Sequence, residues 1–291
     1  MHPLRFAKRA VLQILDIADL NQRFLNSAWW QRHLRIICWH GVSNDDEHAW
    51  NPSLFMTSET FRTYLELLRD TICNVLLLGE ALSRLRGMSL QTRAACSTGD
   101  HGDSSLRLRA WPMLREFGFT ATLYWTDYYP TRPFATLDPM LSFLLWKAQE
   151  KTLGSRQPTL RCKLRIGRER SHAWTALYEF SKSEGWTAGD KESLLVKIAQ
   201  RLEADDSQIK SRRVPHLITQ TEGHATVSEG PDLQLHTHRH RVPRNPDEFL
   251  TEIADNVHIL KEVGAESTRA PFYLTRLIDT RGSPAPNSKA G

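Results

Sequence analysis

The run Gln234-Leu235-His236-Thr237-His238-Arg239-His240 gathers three of the chain's 12 histidines directly after a short apolar segment. Neutral imidazole is the commonest protein ligand for zinc and its neighbours, so two histidines on one turn form half of a typical metal site. The same run also reads as a solvated, partly charged His/Arg turn at a strand end. What separates the two readings is whether other elements bring further ligands to the turn.

Hydrophobic spacing gives those elements. Leu34 to Trp39 is a short apolar run of strand type, and Ser43 to Glu47 is a polar turn. Thr57 is a helix N-cap, with Glu59 in the first turn and Phe61, Tyr64, Leu65 and Leu68 on one apolar face. Asn74 to Leu78 reads as a second strand, Glu80 to Arg86 as a short helix, and Thr92 to Ser97 as a third strand. That strand runs into Thr98-Gly99-Asp100-His101-Gly102. A helix carrying Leu108, Trp111 and Leu114 follows and ends at Gly118, and Thr120 to Trp125 is the next strand. Asn245-Pro246-Asp247-Glu248 starts a helix that runs to about Val263, with Pro at N1 and acids in the first turn.

Strands separated by helices pair in parallel with right-handed crossovers, which predicts an α/β architecture. Sites in such folds lie on loops beyond the carboxyl ends of the strands. The Asp100-His101 turn and the His236–His240 turn both occupy that position. Residues 147–229, with helices over Ser171 to Phe180 and Lys191 to Leu202, differ in character and read as an insertion. It is either a cover over the rim or a plain helical elaboration.

With 291 residues, 40% hydrophobic and 24% charged, the chain has the composition of a soluble globular protein. A net charge of +5 and a pI of about 9.1 are mildly basic, but cations are interspersed with acids, so no nucleic-acid partner is expected. Cys38, Cys73, Cys96 and Cys162 show no Cys-x-x-Cys spacing; Cys38 and Cys96 lie in apolar runs and read as reduced core thiols of a cytoplasmic protein. Residues 1–33 read as an N-terminal amphipathic helix. Arg5, Lys8 and Arg9 precede a six-residue apolar run cut by Asp16 and Asp19. The run is too short to cross a membrane, although the helix is able to lie on an anionic one and make the chain peripheral to the inner membrane.

Four stretches in this order resemble the polysaccharide deacetylases of the NodB-homology group, carbohydrate esterase family 4. Trp39-His40-Gly41-Val42 is similar to the family's Tyr-His-x-Val strand end, and Trp50 to Phe61 to its Ser-Pro-Glu-x-Phe helix start. Thr98-Gly99-Asp100-His101-Gly102 falls where the family has Thr-Phe-Asp-Asp-Gly, followed by Ala110 to Thr122, similar to Pro-x-Leu-x-x-x-Gly-x-Pro-Ala-Thr. His236-Thr237-His238-Arg239-His240 fits His-[Ser/Thr]-x-x-His.

The resemblance covers residues 34–265 and implies a distorted, incomplete (β/α) barrel with the 147–229 insertion and an irregular tail over 266–291. It implies His236 and His240 as metal ligands, Asp100 as the general base, and His101, in place of the family's second Asp, as the third ligand. The cofactor implied is a divalent metal, zinc by the nature of the ligands. The implied reaction is hydrolysis of an N-acetyl group on a sugar or glycan precursor.

Two departures favour an alternative, a catalytically inactive relative that binds glycan or a partner protein, or a truncated gene product. The first is His at position 101, beside Gly99 where the family has Phe. Three imidazoles with an open fourth position remain a workable zinc site, and Asp103 is a reserve carboxylate two residues late. The second is the C-terminal part. Arg269-Ala270-Pro271-Phe272-Tyr273 fits the family's later motif only loosely, Leu274 to Ile278 offers one more short element, and no late general-acid His follows. Of the remaining candidates, His40 is expected to pack or hydrogen-bond at a strand end, and His238 to point away from the metal. Asp45, Asp46 and Glu47 are expected in a solvated turn. Trp125, Tyr128 and Tyr129 either stack on sugar rings or close the core.

Overall fold

The computed structural model describes residues 20–130, 137–148, 152–153, 162–163, 167–184, 186–201 and 216–265. In chain order its elements begin with α1 (Leu20–Leu25), α2 (Ala28–Arg32), β1 (Arg35–Trp39), β2 (Gly41–Val42), α3 (Glu47–Trp50) and β3 (Phe55–Met56). Next come α4 (Ser58–Asp70), β4 (Asn74–Val75), α5 (Leu78–Arg86) and β5 (Ala94–Gly99). A π-helical turn, Leu106–Ala110, runs into α6 (Trp111–Glu116), followed by β6 (Thr122–Trp125) and α7 (Leu137–Lys147). The antiparallel pair β7 (Thr152–Leu153) and β8 (Cys162–Lys163) precedes α8 (Gly167–Ser183) and α9 (Ala188–Arg201). The last described elements are α10 (Gln220–Glu229), β9 (Asp232–Leu235) and α11 (Pro246–Glu262).

The main sheet is parallel, in the order β1-β5-β6-β9, with β4 also paired to β5. Trp39 lies beside Gly99 and Trp125 beside Leu235, so the carboxyl ends of all four strands reach one rim. The expected α/β architecture with parallel pairing is therefore present. Among the described residues no strand pairs with the outer edge of β1 or of β9. No described helix is long and apolar enough to cross a membrane.

Every residue of β5 is buried, and its sequence Ala-Ala-Cys-Ser-Thr-Gly supplies the small side chains that a strand covered on both faces requires. On the outer face Trp39, Ala95, Leu123, Trp125 and Leu233 pack against Phe61, Leu65 and Leu68 of α4, Trp111 and Leu114 of α6, and Leu260 of α11. On the inner face Cys96 and Tyr124 meet Leu78 and Ala81 of α5. A second apolar core joins α7, α8 and α9 and rests on Trp50 and Phe55. The helices start where capping chemistry places them. Thr57 Oγ1 accepts from the Thr60 amide, Asn245 Oδ1 from the Asp247 amide, and Thr219 with Glu222 forms a full capping box on α10.

Several expectations are corrected. The strand foreseen from Asn74 to Leu78 pairs only over Asn74–Val75, because Leu78 already begins α5. Tyr64, foreseen on the apolar face of its helix, is 49% exposed, and Leu108 is 47% exposed, since both turn outward from their helices. Cys38 is exposed rather than a core thiol, whereas Cys96 is buried. The polar segment before Trp50 contains α3, and Glu47 is buried within it. Residues 1–19 of the N-terminal helix and the whole 266–291 tail lie outside the described residues.

Candidate metal centre

Two tight turns at the common rim present the candidate groups. After β5 the chain turns sharply through His101 and Gly102, with φ of 70° and 71°. A Cβ at Gly102 would stand 2.3 Å from Trp125 Cδ1, so the turn lies directly on that indole. Gly99 is equally confined, its missing Cβ 2.9 Å from Leu123 and 3.3 Å from Trp39. The large Trp39 side chain thus fills space that a residue larger than glycine at 99 would need. The turn is held by Ile218 N–H donating to the Gly102 carbonyl (2.8 Å) and Ser104 N–H to the His216 carbonyl (2.7 Å). Asp103 accepts from the Ser105 amide at 2.8 Å and lies outside the histidine cluster.

After β9 a second turn carries His236, Thr237 and His240, the last two in left-handed backbone at φ of 63° and 52°. His101, His236 and His240 each offer a ring nitrogen, and the three nitrogens lie within 4.8 Å of one another. The ring centroids are 5.1 Å apart for His101–His236, 4.3 Å for His101–His240 and 4.8 Å for His236–His240. Burial, and then the neighbouring His240, His236 and His40, hold His101 well below its ordinary pKa. Burial, then His240 and His40, do the same to His236. Both rings are therefore neutral near pH 7, the form that ligates a metal.

His236 is fully buried, and neither of its ring nitrogens has a hydrogen-bond partner. A buried imidazole with two unsatisfied nitrogens is costly unless something binds one of them. Three converging imidazoles fit zinc, copper or nickel better than magnesium or calcium, which take oxygen ligands.

Asp100 is 1% exposed and continues the β-ladder by donating its amide to the Trp39 carbonyl at 3.0 Å. Its Oδ2 lies 3.7 Å from His40 Nε2, and the His40 ring is 5.1 Å from that of His101. Of the four residues singled out in the sequence, the three histidines converge, and Asp100 lies at the same strand end, linked to them through His40. The sequence placed His40 at a strand end in a packing or hydrogen-bonding role, and it stands there, partly exposed, facing Asp100 and outside the histidine cluster. Only the β1–β5 register, invisible in local sequence, sets it opposite Asp100.

The surrounding residues fall into place by contact. His238 turns away from the cluster and pairs through Nδ1 with Asp127 Oδ1 at 2.9 Å. Trp125 belongs to the core, fully buried with Nε1 donating to the Ile218 carbonyl at 3.1 Å. Tyr128 packs edge-on to His238 and Tyr129, and the Tyr129 hydroxyl donates to the Arg239 carbonyl at 3.3 Å. Glu252 and Asn256 of α11 are both fully buried against the 236–241 turn. Burial opposes ionisation of Glu252, but bonds from Arg241, the Arg239 amide and the Arg239 guanidinium outweigh it and lower its pKa. Reading the sequence missed both residues. Their one signal is two polar side chains at i, i+4 on the stripe of α11 that faces the sheet.

No model of a known protein family matches the chain, and no curated protein matches it. Among solved structures it is similar to IcaB from Ammonifex degensii, at 14% identity, covering 81% of this chain and 71% of that one, with a TM-score of 0.45. It is similar to the Streptococcus pyogenes deacetylase PplD in complex with acetate, at 14% identity, with 81% and 72% covered and a TM-score of 0.46. It is also similar to a de-N-acetylase from Aggregatibacter actinomycetemcomitans, at 11% identity, with 79% and 74% covered and a TM-score of 0.43. Over about four fifths of its length the chain is thus similar to solved structures that include a deacetylase and a de-N-acetylase.

Proposed function

We propose that this chain is a metal-dependent deacetylase of the polysaccharide-deacetylase kind, acting on the N-acetyl group of a sugar or glycan. The observation that carries the reading is the convergence of His101, His236 and His240 at the carboxyl ends of β5 and β9, around a buried imidazole with no partner, next in sequence to the buried Asp100. His101, His236 and His240 would hold a divalent ion, most suitably zinc. When bound, that ion supplies Lewis-acid polarisation of the acetyl carbonyl and eases ionisation of water.

The chain's own groups do the rest. Asp100, buried at the same strand end, takes the proton from the attacking water at its carboxylate. Oxygen adds to the acetyl carbon, the carbon–nitrogen bond breaks, and acetate and a free amine leave. The amine needs a proton, and Asp100, which holds the one taken from the water, returns it, with His40 3.7 Å from its carboxylate. The neutral imidazole set carries one negative charge fewer than a ligand set with Asp at 101, so it holds the ion less tightly and leaves it more electrophilic. The observation favouring a second reading, a binding protein without catalysis, is this same substitution, His at position 101.

Metal content of the purified chain, by elemental mass spectrometry, separates the readings, with His236→Ala and His101→Asp measured in parallel. About one zinc per chain, lost in His236→Ala, together with acetate release from N-acetylglucosamine oligomers, is the expected result. Metal absent from the native chain but recovered in His101→Asp would mark a deacetylase scaffold with a lapsed site. Metal absent from all three would sink the enzymatic reading.

A further inference from the structure

We infer that the inner face of α11, through Glu252 and Asn256, together with Asp127 after β6, clamps the 236–241 turn and sets where His236 and His240 stand. The inference rests on the metal reading above and makes these three side chains positioning residues of that site. Asn256 spends every polar atom on the clamp. Its Oδ1 accepts from the His236 amide at 2.8 Å, and its Nδ2 donates to the Trp125 carbonyl and to Asp127 Oδ1, both at 3.1 Å. Asp127 Oδ1 also pairs with His238 Nδ1. One turn earlier on the helix, Glu252 takes the Arg239 amide at 2.8 Å, the Arg239 guanidinium at 3.0 Å and Arg241 Nε at 2.6 Å. Its main-chain carbonyl receives the His238 amide at 3.1 Å.

The pattern is selective. The clamp holds the amides of 236, 238 and 239 and the side chains of 238, 239 and 241, and it leaves the rings of His236 and His240 to the cluster. The turn needs such a hold. Left-handed backbone at Thr237 and His240 is unfavourable and persists only where the surroundings over-determine it. Thr237 is β-branched, the kind of residue that avoids this region most, so the turn's own sequence does not choose its shape. Burying a carboxylate and an amide to fix that shape is itself expensive unless every bond is made. A network serving stability alone has no need to converge on the one turn that carries two candidate ligands.

The test uses the full chain stripped of metal and titrated with Co(II) against a chelator. It reads the dissociation constant and the visible ligand-field bands, and thermal melts of the metal-free proteins run beside it. Asn256→Ala and Asp127→Asn are expected to weaken Co(II) binding about 10- to 100-fold and to alter the bands. His258→Ala, on the exposed side of the same helix, should leave both unchanged. Where Asn256→Ala does not fold, the isosteric Asp127→Asn decides. Folded variants with native cobalt affinity and native bands would overturn the clamp while leaving the metal reading intact. Failure of the native chain to bind cobalt would overturn both.

Discussion

A carboxylate taken out of water resists ionisation, and Glu47 is only 3% exposed. Burial, joined by the charge of Asp46, raises its pKa above the ordinary 4.5, even though its Oε2 accepts the Asp45 amide at 2.9 Å. The folded chain therefore binds this proton more tightly than the unfolded chain does. Glu47 contributes fully below pH 4.5, and the contribution is lost as pH rises through the raised value. Glu47→Gln keeps an acceptor oxygen for the Asp45 amide and removes the charge. It should melt a few degrees higher than the native chain at pH 7 to 8, with the gain vanishing in melts below pH 4.5; an equal gain at all pH would refute the assignment. Sequence shows Asp45-Asp46-Glu47 only as a charge run, because burial of one member depends on α3 docking against the helical core. Asp100, His101, His236 and His240 are legible for the opposite reason. As candidates they stand out by residue type at a strand end and by the motifs that carry the family resemblance, both of which lie in local sequence. His40, Glu252 and Asn256 act across strand register and helix face, which local sequence does not carry.

At the scale of elements, two turns share one backbone conformation and differ in what surrounds them. Gly102 closes β5 at a φ of 71°, and Gly118 ends the α6 segment at a φ of 69°. A methyl group at Gly118 meets nothing within 4 Å, while one at Gly102 meets the indole of Trp125, which is fully buried and hydrogen-bonded. Gly118→Ala should cost only the left-handed penalty, about 1–2 kcal/mol. Gly102→Ala adds overpacking against a ring with nowhere to go, for roughly 2–5 kcal/mol in all. Urea unfolding of the pair tests this, and equal losses would show that the Trp125 contact gives way. Gly118 could be read as a helix stop because αL glycine after a last turn is a local signal. The confinement of Gly102 arises from β6, 23 residues on, and from the Ile218 amide that ties down its carbonyl. The same distinction separates Thr57 and Asn245, whose capping roles sequence predicts, from Tyr64 and Leu108, which keep an apolar type while turning outward.

At the scale of the whole molecule, the described sheet has β1 as its outermost strand. Along β1 the side chains alternate, with Trp39 in the outer core and Cys38 on the inner side, where its Sγ lies 2.9 Å from Thr98 Oγ1. Ile36 shares that inner side, two residues away, and is 50% exposed. In a closed barrel this side would be interior. Among the described residues no strand continues the sheet past β1, so an apolar side chain lies on the outermost described strand beside backbone amides and carbonyls that no described strand takes up. That combination is a template for pairing with another chain. Natural edges are blunted by charge, lysine above all, and β1 has only Arg35, whose guanidinium is turned over the Trp30 ring at 3.6 Å. The native chain should therefore associate as concentration rises, and Ile36→Lys should lower the association at unchanged melting temperature. Sedimentation velocity across a tenfold concentration range reads both. Leu67→Lys, at an equally exposed site on α4 away from the edge, is the control. Equal effects from the two lysines would assign the association to general stickiness, whereas an effect from Ile36→Lys alone would locate it at the β1 margin of the sheet.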